Sequence, residues 1–405
     1  MALKKLLNKG TVYKRSDNRW GGMVSYHDEQ GVYRRKSFCA PTKKAVLKKI
    51  GDYIEFFKME IAEADETKKP LRKSMQKWLE VFQYGTVERA TYDRKEDCAK
   101  HYIYPRIGDM IISEITSADL NGILTQMMNE GYSHSTVKHV YSLFKEYFRY
   151  LCYEEHIPKN PMAYVRMIKK ANFLAAQGRE IIARSDAVTV LNDEEIRRLR
   201  EAVFTRNRKG ALKHQQAAAY LLMLDTGLRT GEVLGLLNSE IDLDKRELSV
   251  TRAVKEVGKR DKDGAACGTE LIVGGMKTAA SKRTIPLNST AIEMILILRT
   301  ERYFGADSPL ISNQVGDFTR PSTFRSRWYT LLDFAGISHK GLHSLRHTFA
   351  TRLINGVEDE NGNLKTLTVR QVADLLGHTT SSVTEKYYVR REPNKLCGIT
   401  DEFEL

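Results

Sequence analysis

The stretch "GLHSLRHTFATRLI", running from Gly341 to Ile354, sets an imidazole and a guanidinium three residues apart. Positions three apart share one face of a helix, so His343 and Arg346 can point into one cleft while Leu345, Phe349 and Leu353 pack on another side. An acceptor-donor beside a fixed cation suits an anionic ligand. His347 follows Arg346 directly. Consecutive helix positions point about 100° apart, so His347 is expected not to share the face of His343 and Arg346 and is read as structural.

Three further stretches carry residues of the same chemical kind. In "LDTGLRTGEVLGL" an apolar helix ends at the turn Asp225, Thr226, Gly227, and Arg229 directly precedes a helix starting near Thr230. A helix N-terminus offers free N–H groups and partial positive charge, and a guanidinium there adds a planar fork suited to phosphate oxygens. Glu232, in that first turn, is read as a helix-start residue that also steadies the arginine. The stretch "GGMKTAASKRTIPL" reads as a hairpin between two strands with Lys277 and Thr278 at its turn, where a lysine can give a proton to a leaving oxygen. In "ADLLGHTTSSVTEKYYVR", His378 follows a helix that ends at Gly377, and Tyr387 and Tyr388 come nine and ten residues later. A tyrosine hydroxyl, with a pKa of about 10, attacks phosphorus at neutral pH only if cations surround the phosphate and a base takes its proton.

The elements that must position these residues can be read from periodicity. From Gly10 to Phe38, Val12, Trp20, Met23, Val24, Tyr26, Val32, Tyr33 and Phe38 fall in short runs broken by turn residues, the pattern of a small three-stranded sheet. A helix follows from about Thr42, bearing Lys43, Lys44, Lys48 and Lys49. From Pro70 to Ile168 the period is helical, with Val137, Val140, Tyr141, Phe144, Phe148 and Leu151 recurring three or four apart, and a compact domain of four or five helices is expected. Residues 171–188 lack a period and read as a linker. Asn192, with Glu195 three residues on, opens a new domain as a capping box. That domain mixes helices near Gln215–Leu224 and Gly231–Leu237 with strands near Glu247–Val254, Glu270–Val273 and Arg283–Pro286, and turns helical again from Ala291.

Composition narrows the partners. The 405 residues carry a net charge of +14, which favours a polyanion. Residues 1–60 hold ten lysines and four arginines against six acids, so +8 of that excess lies in about a seventh of the chain. There is no long uncharged apolar run and no apolar leader, so neither a membrane span nor secretion is expected. Cys39, Cys98, Cys152, Cys267 and Cys397 are odd in number and never spaced as C-x-x-C, which points away from a disulfide framework or a zinc site and toward a reducing cytoplasm.

The ordered set Arg229, Lys277, His343-x-x-Arg346, His378 and Tyr387 resembles the signature of the tyrosine recombinases, the phage and transposon integrase family. "TGLRTGE", the K-T-x-x-S-x-R turn before "TIPL", "HSLRHTFAT", and "LLGH" with a tyrosine nine residues on match that pattern in order over about 160 residues. Only the family spacing from His378 selects Tyr387 over Tyr388. The N-terminal sheet is similar to the arm-site binding domain of lambda-like and conjugative-transposon integrases. The resemblance implies a multidomain chain: a small three-stranded β-sheet plus helix binding arm-site DNA (1–65), an all-α core-site binding domain (70–170), a linker (171–188), a mixed α+β, mainly helical catalytic domain (189–392), and a tail (393–405) that docks on the next protomer or frays.

It further implies a site-specific recombinase that integrates and excises a mobile element through a 3′-phosphotyrosine and a Holliday junction. Arg229 and Arg346 would clamp the scissile phosphate, Lys277 protonate the departing 5′ oxygen and His343 take the tyrosine proton. His378 would bond a phosphate oxygen, and Tyr387 would attack. No metal, cofactor or ATP is implied. The implied partners are double-stranded DNA at core and arm sites and three further copies of the chain, together with a small excisionase and a DNA-bending host protein. Arg15, Arg19, Arg34, Arg35 and Lys36 are the expected arm-site contacts. A type IB topoisomerase-like relaxase shares this chemistry, and a catalytically silent DNA-binding regulator shares the fold. Two segments depart from compact members: 258–270, read as a lengthened loop before Lys277, and 355–371, read as an insertion between the Arg346 and His378 helices.

Overall fold

The computed structural model describes residues 5–7, 10–28, 32–179, 189–261, 266–275, 282–358, 364–378 and 380–388. The chain forms two compact units, Met1–Ile181 and Ile182–Leu405.

The first unit begins with the antiparallel strands β1 (Lys5–Leu6), β2 (Thr11–Lys14), β3 (Trp20–His27) and β4 (Tyr33–Ala40). The three-stranded sheet expected from the sequence is β2, β3 and β4. The two-residue β1 extends the edge of β3 that β2 also lines, and β4 takes the other edge. Alternation along β3 sends Val24 and Gly22 to the face covered by helix α1 (Lys43–Ala64), where Val24, Val46 and Ile50 form a small buried core. Gly22 is needed there, because a Cβ would lie 2.6 Å from both Ile50 Cδ1 and Val46 Cγ1. Asn18, at φ 67°, closes the turn between β2 and β3 in the left-handed conformation that asparagine tolerates.

Helices then take over: α2 (Leu71–Trp78), α3 (Arg89–Cys98), α4 (Tyr104–Ile107), α5 (Ser117–Asn129), α6 (His134–Tyr153) and α7 (Lys170–Ala176). Helix α2 runs on through a wider turn to Gln83, and a second wide turn over Ala99–Ile103 joins α3 to α4. The result is four long helical segments and a short fifth. Thr116 and Asp119 close a capping box at the start of α5. Helix α6 buries the expected Val137, Val140, Phe144, Phe148 and Leu151, and Tyr147 as well, whose hydroxyl donates to Ser74 Oγ at 2.8 Å. Helix α7 corrects the linker reading: Lys170–Ala176 is helical and Phe173 is fully buried in the helical core. The segment is too short to show a period, so a single aromatic anchor holds it.

The second unit holds α8 (Asp193–Phe204), α9 (Ala218–Thr226), α10 (Thr230–Gly235), β5 (Ile241–Asp242), β6 (Glu247–Val250), β7 (Arg252–Arg260), β8 (Ala266–Gly275), β9 (Arg283–Pro286), α11 (Ser289–Glu301), α12 (Pro321–Phe334), α13 (His343–Asn355), β10 (Val357–Glu358), β11 (Leu364–Lys365), α14 (Val369–Leu376) and α15 (Ser381–Tyr388). Asn192 and Glu195 form the expected capping box on α8. Helix α9 is apolar on all sides, and every residue from Ala218 to Leu224 is buried, so it is the central helix of this core. Strands β5, β6 and β9 make one small antiparallel sheet, and β7 and β8 make a separate hairpin.

That pairing overturns two readings. Strands β8 and β9 belong to different sheets, so the two do not pair as a hairpin; Lys277 itself lies outside the described residues. The 258–270 segment is not a lengthened loop, because most of it lengthens β7 and β8, with Val257 opposite Glu270 and Gly258 opposite Thr269. Of the 355–371 insertion, Val357–Glu358 and Leu364–Lys365 pair as a two-residue ladder.

If α7 is part of the helical core, Phe173→Ala lowers the unfolding free energy of the first unit by about 3 kcal/mol, the cost of emptying a buried aromatic site. Urea unfolding of the full chain followed by tryptophan fluorescence measures this. An unchanged midpoint would return the segment to the linker.

Candidate active site

Helix α9 ends at Gly227, whose φ of 65° is left-handed and whose absent Cβ would stand 2.5 Å from Phe349 Cδ1. The chain then turns sharply, and Arg229 caps the start of α10. Glu232, one turn into α10, is almost completely buried. Its Oε2 accepts from the Arg229 backbone N–H at 2.9 Å and its Oε1 from Arg229 Nη1 at 2.7 Å. The expected steadying role is therefore met, and it extends further. Arg283, at the start of β9, donates from Nη2 to Glu232 Oε2 at 2.9 Å and from Nε to the Leu375 carbonyl at 2.8 Å. Burial alone would raise the Glu232 pKa, but the Arg283 and Arg229 guanidiniums override it and hold the carboxyl below its ordinary range.

Arg346 is 1% exposed, an unusual place for a guanidinium. Its Nη1 donates to the Gly227 carbonyl at 2.7 Å and its Nη2 to the Leu376 carbonyl at 2.8 Å. Both carbonyls stand at helix C-termini, where the macrodipole is negative. Nη2 also meets His378 Nε2 at 3.0 Å. A guanidinium can only donate, so Nε2 is the acceptor and the His378 proton sits on Nδ1. Nδ1 in turn meets Thr384 Oγ1 on α15 at 2.8 Å.

His343 stands at the first position of α13 and is exposed. Crowding by its surroundings, then the Arg346 and Arg229 charges, lower its pKa and keep it neutral and able to accept a proton. His347 has a structural role, as expected, but its placement on another face from His343 needs correction. Positions 343 and 347 are four apart and share a face, and the two rings meet edge to face with centroids 4.4 Å apart. His347 thus props His343. Burial first, then neighbouring charge, lowers both His347 and His378 to about 4.

The structure therefore brings Arg229, His343, Arg346 and His378 to one place. Lys277 and the tail 393–405 lie outside the described residues. Tyr387 lies on α15. Sequence reasoning missed Arg283 as a site residue, although it stood in the quoted K-T-x-x-S-x-R stretch, and missed Thr384, whose one signal was a hydroxyl one turn before the tyrosine. The five N-terminal candidates are all exposed but divide between faces. Arg35 stands on the face of the sheet opposite α1, beside Tyr33, with its guanidinium carbon 5.1 Å from the ring centroid. Arg34 and Lys36 alternate onto the other face, and Arg34 pairs with Asp28 at 3.0 Å. Arg15 and Arg19 both pair with Asp17 at the turn.

Two guanidiniums and two imidazoles gathered at one place make a receptor for a tetrahedral oxyanion, and the carboxylate beside them, Glu232, is already engaged by Arg229 and Arg283. Residues 189–395 match the phage integrase family, and residues 71–128 match the N-terminal SAM-like domain of phage integrases. The chain belongs to the phage integrase family and is a site-specific recombinase of the tyrosine class. It is 28% identical over 381 residues to a tyrosine recombinase XerC-like protein of Caldanaerobacter subterraneus, covering 91% of each chain. It is 26% identical over 332 residues to the integrase of Mycobacterium phage L5, covering 80% of this chain and 76% of that one. In fold it is similar to the Tn1549 transposon integrase solved with a circular intermediate DNA, with a TM-score of 0.61 at 18% identity over 83% of this chain and all of that one. The lambda integrase dimer on a core site gives a TM-score of 0.54 at 18% identity, covering 94% and 95%. Among the described residues no helix is long and apolar enough to cross a membrane.

The depressed pKa values set a pH dependence. His347 and His378 are neutral when folded but charge near pH 6.5 when unfolded, so their contribution to stability is complete above about 6.5 and is lost as pH falls toward about 4. Unfolding midpoints of the full chain should fall between these limits, and His347→Gln should flatten part of that slope. Midpoints independent of pH across this range would show that neither ring is held neutral.

Proposed function

We propose that this chain cuts and rejoins duplex DNA at defined sites through a 3′-phosphotyrosine and a Holliday junction, integrating and excising a mobile element. The observation that carries it is the buried Arg346, fixed on two helix-end carbonyls and on His378 within reach of the Arg229 cluster.

The scissile phosphate sits against Arg229 and Arg346, which neutralise the charge that builds on its non-bridging oxygens as a fifth oxygen approaches phosphorus. Tyr387 attacks, and its proton passes to His343, which its surroundings keep unprotonated. The bond from phosphorus to the 5′ oxygen breaks, and Lys277 supplies a proton to that oxygen. The phosphodiester becomes a phosphotyrosine of similar energy, so religation runs the same steps in reverse and needs no ATP, cofactor or metal. Glu232 and Arg283 touch neither nucleophile nor leaving group in this scheme. They hold Arg229 and the end of α14.

The helical domain and the catalytic unit grip the core site, and four protomers join two duplexes. The N-terminal sheet binds the arm sites, with the Arg35 and Tyr33 face toward DNA. A small excisionase and a DNA-bending host protein complete the assembly, and the reaction takes place in the cytoplasm. Lambda integrase, similar in fold, is seen as a dimer on a core site and as a tetramer on a Holliday junction, which supports this reading.

The test is a nicked duplex carrying the terminal sequence of the mobile element, from which the cleaved strand end diffuses away. Wild type should form a protein–DNA adduct that survives SDS in EDTA, Tyr387→Phe should form none, and Tyr388→Phe should match wild type. An adduct that persists in Tyr387→Phe would move the nucleophile elsewhere, and none from wild type on bound DNA would favour the silent regulator. On arm-site DNA, Arg35→Ala should weaken binding about tenfold and Arg34→Ala less, measured by titration at fixed salt. Equal losses would separate DNA contact from the face of the sheet.

A further inference from the structure

Resting on the reading above, we propose that Thr384 is the positioning residue of the nucleophile. Its hydroxyl fastens α15, the helix that bears Tyr387, to His378, so that seating His378 on Arg346 and presenting Tyr387 are one event.

Thr384 is 0% exposed, and its Oγ1 meets His378 Nδ1 at 2.8 Å. Tyr387 comes three residues later, less than one helical turn and about 4.5 Å along the axis. The contact therefore sits directly behind the reacting residue, and slack at Thr384 becomes slack at Tyr387.

The donor inventory explains why a hydroxyl is needed. With Arg346 donating to Nε2, His378 carries its proton on Nδ1 and donates it to Oγ1. When a phosphate occupies Arg346 and His378 turns its Nε2 to a phosphate oxygen, Nε2 must carry the proton and Nδ1 becomes an acceptor. A hydroxyl serves both states, because it accepts in the first and, by rotating, donates in the second. An apolar side chain of the same shape serves neither. Thr384 thus keeps the tyrosine helix attached while His378 exchanges one partner for another.

The test compares wild type, Thr384→Val, which keeps the shape, and Thr384→Ser, which keeps the hydroxyl, as full-length chains on the nicked duplex. Expected is DNA binding within about twofold of wild type for both variants, adduct formation slowed by about tenfold or more in Thr384→Val at saturating DNA, and recovery to within about threefold in Thr384→Ser. Nitrogen NMR of His378 in the DNA-free protein should show the proton on Nδ1 in all three, since Arg346 fixes the tautomer, with a hydrogen-bonded Nδ1–H shift in wild type and Thr384→Ser that is lost in Thr384→Val. A Thr384→Val rate near wild type overturns the inference and leaves the recombinase reading intact. A Thr384→Ser rate as slow as that of Thr384→Val also overturns it, because the methyl group and packing would then be what matters. Absence of adduct from wild type itself would instead strike the reading on which the inference rests, while the Nδ1–H shifts would still decide the hydrogen bond.

Discussion

A guanidinium buried to 1% exposure is the constraint around which the catalytic unit is arranged. Removing such a charge from water costs several kcal/mol unless every donor is met. Arg346 is met by the C-terminal carbonyls of α9 and α14 and by the ring of His378. None of these three acceptors carries a negative charge, so they orient the cation without cancelling it, and after burial its field is the next cause of the lowered pKa of His343 and His378. Gly227 follows from the same constraint. The helix has to end abruptly, in a left-handed residue with no Cβ, for its last carbonyl to reach Arg346 beneath Phe349.

Glu232 does the converse for Arg229. It is the buried anion, shared between Arg229 and Arg283, and Arg283 carries the connection on to the Leu375 carbonyl. Leu375 and Leu376 are adjacent, so both arginine systems end on the same turn of α14, and that turn delivers His378. A carboxylate placed this way leaves the cluster cationic overall while forbidding Arg229 from swinging out to solvent. Lysine at 283 would have to make both bonds from one nitrogen, whereas the arginine reaches the carboxylate from Nη2 and the carbonyl from Nε.

Much of this was legible in the sequence because it is local. The one-turn spacing of His343 and Arg346, the Gly227 turn ahead of Arg229, and Gly377 ahead of His378 are all set by helix geometry within a few residues. What failed was not local. Strand partners cannot be read from spacing alone, so "GGMKTAASKRTIPL" looked like a hairpin although its two strands belong to different sheets. Helix α7 is seven residues held by one phenylalanine and shows no period. His347 was placed on another face by comparing it with Arg346, its neighbour, when the relevant partner was His343 four residues back. The N-terminal basic residues were grouped by charge, whereas strand alternation and pairing with Asp17 and Asp28 divide them.

The packing also separates two parts of the machinery. Gly227, Arg229 and Glu232 rise from α9 and α10, elements set in the largest core of the unit. Helix α14 rests on a smaller cluster of its own, built from Ala350, Val372 and Leu376 with Phe349, Leu353 and Leu367 around them. Helix α13 spans both, with Leu345 in the large core and Ala350 in the small one. Arg346, between those two residues on α13, ties the clusters together by bonding one carbonyl from each side. Small clusters open at lower free energy than large ones. The phosphate-binding side is therefore the rigid partner, and the His378 and Tyr387 side is the one that can yield. In the proposed reaction Tyr387 stays bonded to phosphorus between cutting and rejoining, so a yielding side would let the phosphotyrosine adjust while one 5′ hydroxyl departs and another takes its place.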